Sequence, residues 1–212
     1  MGEYGNGVST RKNILLVCRK LFLEKGFHET SYDDISQAAH VNRGSIYYHF
    51  KEKENIRYEV LWEQTTENRR FVETICDRRE FVNLLAIYMS WHWFLTDPKF
   101  RKFHMDYILD CPVYSPNHGL GLYYSTLFKQ TYGPILPDRK VTPLAFASVY
   151  GHFMGLMQMC AEHPDSYTAT ELFYHCHKAG NLVWGASLSE IEASWQQLLP
   201  YIDAIDAKLQ TD

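Results

Sequence analysis

The stretch from Ser31 to Lys53, SYDDISQAAHVNRGSIYYHFKEK, limits what the chain can fold into more than any other. Ser31 followed three residues later by Asp34 forms a capping box, in which a hydroxyl and a carboxylate satisfy free amides at the start of a helix. Ile35, Ala38 and Ala39 then give that helix one small apolar face. The pattern breaks at His40-Val41-Asn42, and Asn42 is placed to cap a second helix predicted over Arg43 to Phe50. The spacing therefore predicts two short helices joined by a tight turn. Ile46 and Phe50 lie one turn apart and share a face, which puts Gly44, Ser45, Tyr48 and His49 on the opposite arc.

A water-facing arc would ordinarily hold Glu, Lys and Gln. This one holds Gly, Ser, Tyr and His, with Arg43 in its first turn and Lys51 and Lys53 just beyond. Each type suits DNA. Arg43 can fork onto a guanine edge, Gly44 lets the backbone approach, and Ser45 can donate or accept at either base pair. The hydroxyls of Tyr47 and Tyr48, the His49 imidazole and the Lys53 ammonium can hold phosphates. The competing reading is a small structural helix pair with a polar aromatic surface, since two-helix turns are common in all-α proteins.

From about Thr10 to Trp62 the chain resembles the DNA-binding domain of the TetR/AcrR family of bacterial transcriptional repressors. The likeness is carried by an apolar first helix ending in Lys25-Gly26-Phe27, the Thr30-Ser31 entry, Asp34-Ile35, and above all the run from Arg43 to Glu54. The Tyr47-Tyr48-His49-Phe50 core, preceded by a basic residue, a glycine and a small polar residue, is most similar to multidrug-sensing members. The resemblance implies base contacts at Arg43, Gly44 and Ser45, and phosphate contacts at Tyr47, Tyr48, His49 and Lys53. It also points to Tyr32, where the family often has Thr or Ser. It further implies a homodimer on a DNA operator, answering to a small-molecule effector. It covers about a quarter of the chain.

The sequence allows a helix-turn-helix domain over 1–55 and a larger helical ligand-binding and dimerisation domain over 56–212, since a chain of 212 residues can bury a sizeable core. The net charge of −4 argues against a basic coat, but residues 1–53 carry 8 Lys/Arg against 6 Asp/Glu, a local excess that fits DNA contact through a small face. The five cysteines are odd in number and lack C-x-x-C spacing, so neither a disulfide framework nor a zinc ribbon is indicated. MGEYGNGVST lacks the apolar run of a signal peptide, and Leu84 to Leu95 is broken by Ser90 and His92 and too short to span a bilayer. The expectation is a soluble, cytoplasmic protein without membrane contact.

In chain order, residues 1–9 are Gly-rich and read as disordered, and a first helix is predicted over Thr10 to Lys25, ending at Gly26. Later helices are predicted from Lys53 to about Ile75, Phe81 to Thr96, Pro98 to Leu109, Asn117 to Tyr132, Pro143 to Glu162, Tyr167 to Ser187 and Ser189 to Leu209. Pro200 should kink or split the last one. The fold class is all-α, with nine to ten helices and no internal repeat.

No G-x-S-x-G, P-loop or H-E-x-x-H signature is present, so nothing supports an enzyme or a cofactor. His175-Cys176-His177 lie about 100° apart along one helix and cannot converge on a single metal ion. Tyr88, Trp91, His92, Met105, Tyr124, Phe146, Tyr150, Met154 and Met157 lie on segments that could converge either as an ordinary core or as an adaptable effector pocket. Ala147, Gly151 and Gly155 form a low ridge. With Leu172, Cys176, Ala179 and Val183 on the next helix, they are the dimer interface that the resemblance implies, the alternative being packing within one subunit. The seam Ile191, Trp195, Leu198, Ile202, Ile205, Leu209 is suited to either a partner or the chain's own core. The reading is a DNA-binding repressor released by an apolar or aromatic effector. The alternative is a regulator of the same fold that recruits a protein partner or activates transcription without a ligand.

Overall fold

Ile14, Cys18 and Phe22 recur at helical spacing and are at most 1% exposed, which makes the first helix an amphipathic rod with its apolar stripe turned inward. The computed structural model describes residues 3–110, 126–127, 129–131 and 142–211, with side chains from residue 7 onward. The first helix, α1, spans Glu3–Glu24 and so begins earlier than the Gly-rich composition predicts. Once a strong helical segment is nucleated, extending it by about two turns costs little even through Gly7. Gly26 follows with φ of 105°, a conformation that L side chains rarely adopt. A Cβ there would also collide with Glu29 Oε2.

Helices α2 (Tyr32–Ala39) and α3 (Arg43–His49) come next, followed by α4 (Lys53–Glu73), α5 (Arg79–Thr96) and α6 (Pro98–Asp110). Beyond the undescribed segment lie α7 (Pro143–Glu162), α8 (Ala169–Val183) and α9 (Leu188–Leu209). No strand occurs among the described residues. The helix expected over Asn117 to Tyr132 falls largely outside them, although residues 126–127 and 129–131 are helical. Thr168 with Glu171 and Ser187 with Glu190 form capping boxes that start α8 and α9. The described residues include no helix long and apolar enough to cross a membrane.

One buried apolar cluster runs from Ile14 to Ile205, so the first three helices share a core with the rest. Phe22 of α1 stacks on Phe103 of α6 with centroids 6.1 Å apart. Asp110, the last residue of α6, accepts from buried Arg57 of α4 at 2.6 Å and pairs with His28 of the α1–α2 loop at 2.9 Å. The Arg57 guanidinium lies between two rings, 3.7 Å from the Phe27 centroid and 4.4 Å from that of Tyr107. The seam of α9 is buried within the subunit, with Leu198 and Ile205 at 0% exposure. Pro200 lies on the exposed face of α9, which runs through it as one helix. Cys18, Cys76, Cys160 and Cys176 are free and buried.

Two imidazoles are sealed in this core. His104 stacks on Phe100 at 4.0 Å and donates from Nδ1 to the Phe100 carbonyl, while His177 takes the Asn181 amide. Burial pushes both down to about 4 from an ordinary 6.5. The unfolded chain therefore takes up these protons as pH falls through 6.5, and the folded one only near 4. Their contribution is whole above pH 6.5 and drains away between 6.5 and 4. Urea midpoints are expected to fall from pH 7 to pH 5, and His104→Phe should flatten that slope; an unchanged slope would remove His104 from the account.

Candidate nucleic-acid interface

The reading pair is built by its caps. Ser31 Oγ accepts from the Asp34 amide while the Asp34 carboxylate accepts from the Ser31 amide at 2.7 Å, closing the expected box. Lys25 lies 2.8 Å from the same carboxylate and, with Ser31, holds it well below the usual carboxylate range. The turn is made by His40 in the left-handed region, φ 54° and ψ 42°. It is clasped by the Val41 amide on the Ser36 carbonyl and by Asn13 Nδ2 on the Ala39 carbonyl, at 2.9 Å. Asn42 Oδ1 then accepts from the Ser45 amide at 2.8 Å and starts α3.

Along α3 the two arcs separate as the spacing predicts. Ile46 at 0% and Phe50 at 2% exposure are sealed inside, while Gly44 and Tyr48 face outward, Tyr48 at 85%. Ser45 and His49 sit half-buried at the edges. Tyr47 is half-exposed and its ring rests on Tyr32 of α2, centroids 4.8 Å apart, so the two phenols form one surface. Arg43 stands in water, forked onto Asp33 through Nε at 2.7 Å and Nη2. That pairing holds the Asp33 carboxyl below its ordinary value. An ion pair so exposed contributes little to stability, so Arg43 can exchange Asp33 for another fork of acceptors. Of the eight expected residues, Arg43, Gly44, Tyr47 and Tyr48 are exposed, and Tyr32, Ser45, His49 and Lys53 are half-buried.

Lys53 is placed differently. Its ammonium turns inward and donates to the Phe27 carbonyl at 2.8 Å and the Thr30 carbonyl at 2.9 Å, 4.3 Å above the Phe27 ring. Desolvation lowers its pKa. The residue that sequence offers as a phosphate contact is, in the fold, a clasp between α4 and the α1–α2 loop. No pattern in the sequence marks this role, because the acceptors are main-chain carbonyls.

The expected effector residues that the structure describes lie largely in the core. Tyr88, Trp91, Phe146, Met154 and Met157 are buried in the common cluster, and Met105 and Tyr150 lean against it. Trp91 meets Phe153 at 5.2 Å, Tyr88 meets Phe173 at 5.6 Å, and Phe146 stacks on Tyr150 at 5.6 Å. The Tyr88 hydroxyl donates to Asp206 at 2.5 Å, and burial with that bond holds it protonated. His92 is half-buried and pushed down by desolvation. Tyr124 lies outside the described residues. Two cavities formed by described residues, of about 300 and 520 Å³, take none of this set.

The dimer residues divide. Gly151 and Gly155 lie on an exposed face of α7 with nothing within 4 Å of an added Cβ, and Ala147 is half-buried beside them. Val183 is 39% exposed and Ala179 intermediate. Leu172 at 2% and Cys176 at 7% exposure turn into their own subunit instead, which corrects their assignment to a surface. A spacing of four marks a helix face but does not say which body covers it. His175 is exposed while His177 is buried, so the two diverge, and no metal-binding cluster occurs among the described residues.

A family model described as bacterial regulatory proteins, tetR family, matches residues 14–60. The HTH-type transcriptional regulator AcrR of Shigella flexneri is 44% identical over 59 residues, 28% of this chain and 27% of that protein. The HTH-type transcriptional repressor BepR of Brucella suis is 38% identical over 52 residues, 24% of this chain and 25% of that one. The chain thus spans about a quarter of the length of the curated relatives it matches. Over nearly its whole length it shares a fold with RolR, solved in complex with the ligand resorcinol, with a TM-score of 0.58 at 13% identity covering 91% of this chain and 95% of that one. The matched segment holds α2, α3, their caps and the outward arc described above, and over that segment the chain is similar to the TetR family of bacterial regulatory proteins.

Proposed function

We propose that the chain is a ligand-responsive, DNA-binding transcriptional repressor that works as a homodimer on a palindromic operator. The observation that carries this reading is the outward arc of α3, where Arg43, Gly44 and Tyr48 are exposed on a helix whose other side is sealed by Ile46 and Phe50. Such an arc enters a major groove with its first turn toward the bases and its phenols toward phosphates. The repressor role is supported by the name of BepR, and a small aromatic effector by the resorcinol in RolR.

Selection of bound DNA from a random pool tests the reading. Arg43→Ala is expected to weaken the selected operator by roughly ten- to a hundredfold and to relax preference at one base pair. An operator bound as tightly and selectively by the variant would remove Arg43 from base reading.

Two-fold symmetry would set two α3 helices about one DNA turn, roughly 34–36 Å, apart. The exposed face of α7, with Leu144 at 78% and Met159 at 40% exposure flanking Gly151 and Gly155, is the surface we assign to the partner subunit, continued by Leu182 and Val183 of α8. Gly151→Leu should shift sedimentation toward monomer and weaken operator binding together. A Gly151→Leu variant that stays dimeric and binds normally would place the interface elsewhere.

The close packing of Tyr88, Trp91 and Phe146 favours one second reading, a regulator of this fold that recruits a protein partner or activates transcription without a ligand. Compounds that release the selected DNA would decide for the first reading.

A further inference from the structure

A cavity of about 300 Å³ opens where the reading domain meets the rest of the chain. Arg19 and Leu23 of α1 form one side, Gln64 and Phe71 of α4 the floor, and Met89 and Trp93 of α5 the far wall, with Phe100 of α6 closing the end. None of the residues read from sequence as effector contacts takes part.

Its polar groups are largely spent on one another. Glu67 accepts from Arg19 through both oxygens, at 2.5 and 2.6 Å. Asn68 donates to the Ala86 carbonyl and to Ser90, and Asp97 Oδ1 caps α6 by accepting from the Lys99 and Phe100 amides. The cavity therefore offers no unpaired charge that would select an ion. Gln64 is the exception. Its side chain is nine-tenths buried, and Oε1 is out of reach of solvent with no hydrogen-bond partner. A buried acceptor without a donor is rare in folded proteins. The terminal torsion of Gln is soft, so a small turn presents that oxygen to the space it lines.

We propose that this interdomain cavity is a ligand site for a small, uncharged, planar aromatic molecule that carries one O–H or N–H donor for Gln64. The aromatic walls of Phe71, Trp93 and Phe100 select a flat apolar body. The volume lies at the low end for ligand pockets, which limits the body to about two fused rings. An occupant touches α1 on one side and α4 and α5 on the other, so it fixes how the reading domain sits on the rest. Only that consequence for DNA rests on the regulator reading; the binding itself does not.

The test uses 2-naphthol, which has the donor, and 2-methoxynaphthalene, which lacks it, by calorimetry on the full chain. 2-Naphthol is expected to bind one per subunit, at least tenfold more tightly than the methyl ether. Gln64→Met, close in shape but without the acceptor, should erase that difference. Leu23→Trp, which fills the space from α1, should abolish binding, with melting temperatures showing both variants folded. Absence of binding at millimolar 2-naphthol, equal affinity for the two probes, or unchanged binding by folded Leu23→Trp would each overturn the site. Operator selected without 2-naphthol binding sinks the cavity alone. 2-Naphthol binding by a protein that selects no DNA sinks the regulator reading alone.

Discussion

Asp110→Ala is expected to destabilise the protein by about 3 kcal/mol, the lower end of what breaking a buried ion pair costs. The reason lies with Arg57, whose side chain is 5% exposed and whose Nη1 donates to Asp110 at 2.6 Å. Its Nε is already buried without a partner. Removing the carboxylate takes away the ion-pair partner that Arg57 has among the described residues and leaves its guanidinium held between Phe27 and Tyr107. The Asp110 side chain keeps 26% of its surface, which admits some water and sets the estimate low. His28, at 55% exposure, adds little. The check is urea unfolding of Asp110→Ala beside the double variant with Arg57→Met. The double variant should recover most of the loss, because an apolar side chain of similar length suits the two rings. If the single variant loses less than about 1 kcal/mol, the pair is not what anchors α6 to α4.

Lys53→Met should cost about 2–4 kcal/mol, from two charge-assisted hydrogen bonds to carbonyls and a cation over a ring, offset by the retained apolar stem. The loss would appear as a lower urea midpoint with the slope of the transition unchanged. A lysine whose main work is to hold phosphate would behave otherwise: its replacement leaves stability alone and flattens the salt dependence of DNA binding. Measuring both on the same variant separates the clasp from the phosphate contact.

These two residues show where a sequence stops being legible. The turn between α2 and α3 could be read because its whole grammar is local: a hydroxyl, a carboxylate three residues on, an interruption and a second cap. The buried side of α3 followed from Ile46 and Phe50 for the same reason. Lys53 could not be read, since its acceptors on Phe27 and Thr30 lie 26 and 23 residues away and carry no side-chain signature. Leu172 and Cys176 repeat at a spacing that fits either a partner or the subunit's own core, and only the packing of α5 and α9 against α8 decides. The aromatic set poses the same ambiguity in another form. Trp91 and Phe146 are both buried in the common cluster, but periodicity does not tell a lined space from a filled one. Gln64 carries no mark in the sequence, because an orphaned acceptor is a property of surroundings.

The four described thiols, sealed at separate depths, give the molecule an unfolding gauge of its own. Burial pushes Cys18 and Cys176 up to about 12, and raises Cys76 and Cys160 as well, so the alkylating reagent meets almost no thiolate while the fold is closed. Iodoacetamide then modifies each sulfur in proportion to the fraction of time its own neighbourhood is open. Cys18 sits in α1, Cys76 after α4, Cys160 near the end of α7 and Cys176 within α8. With Cys111 replaced by Ser, four labelling rates read by mass spectrometry would order the openings of the reading domain, the α4–α5 corner and the late helices, without any probe having been introduced.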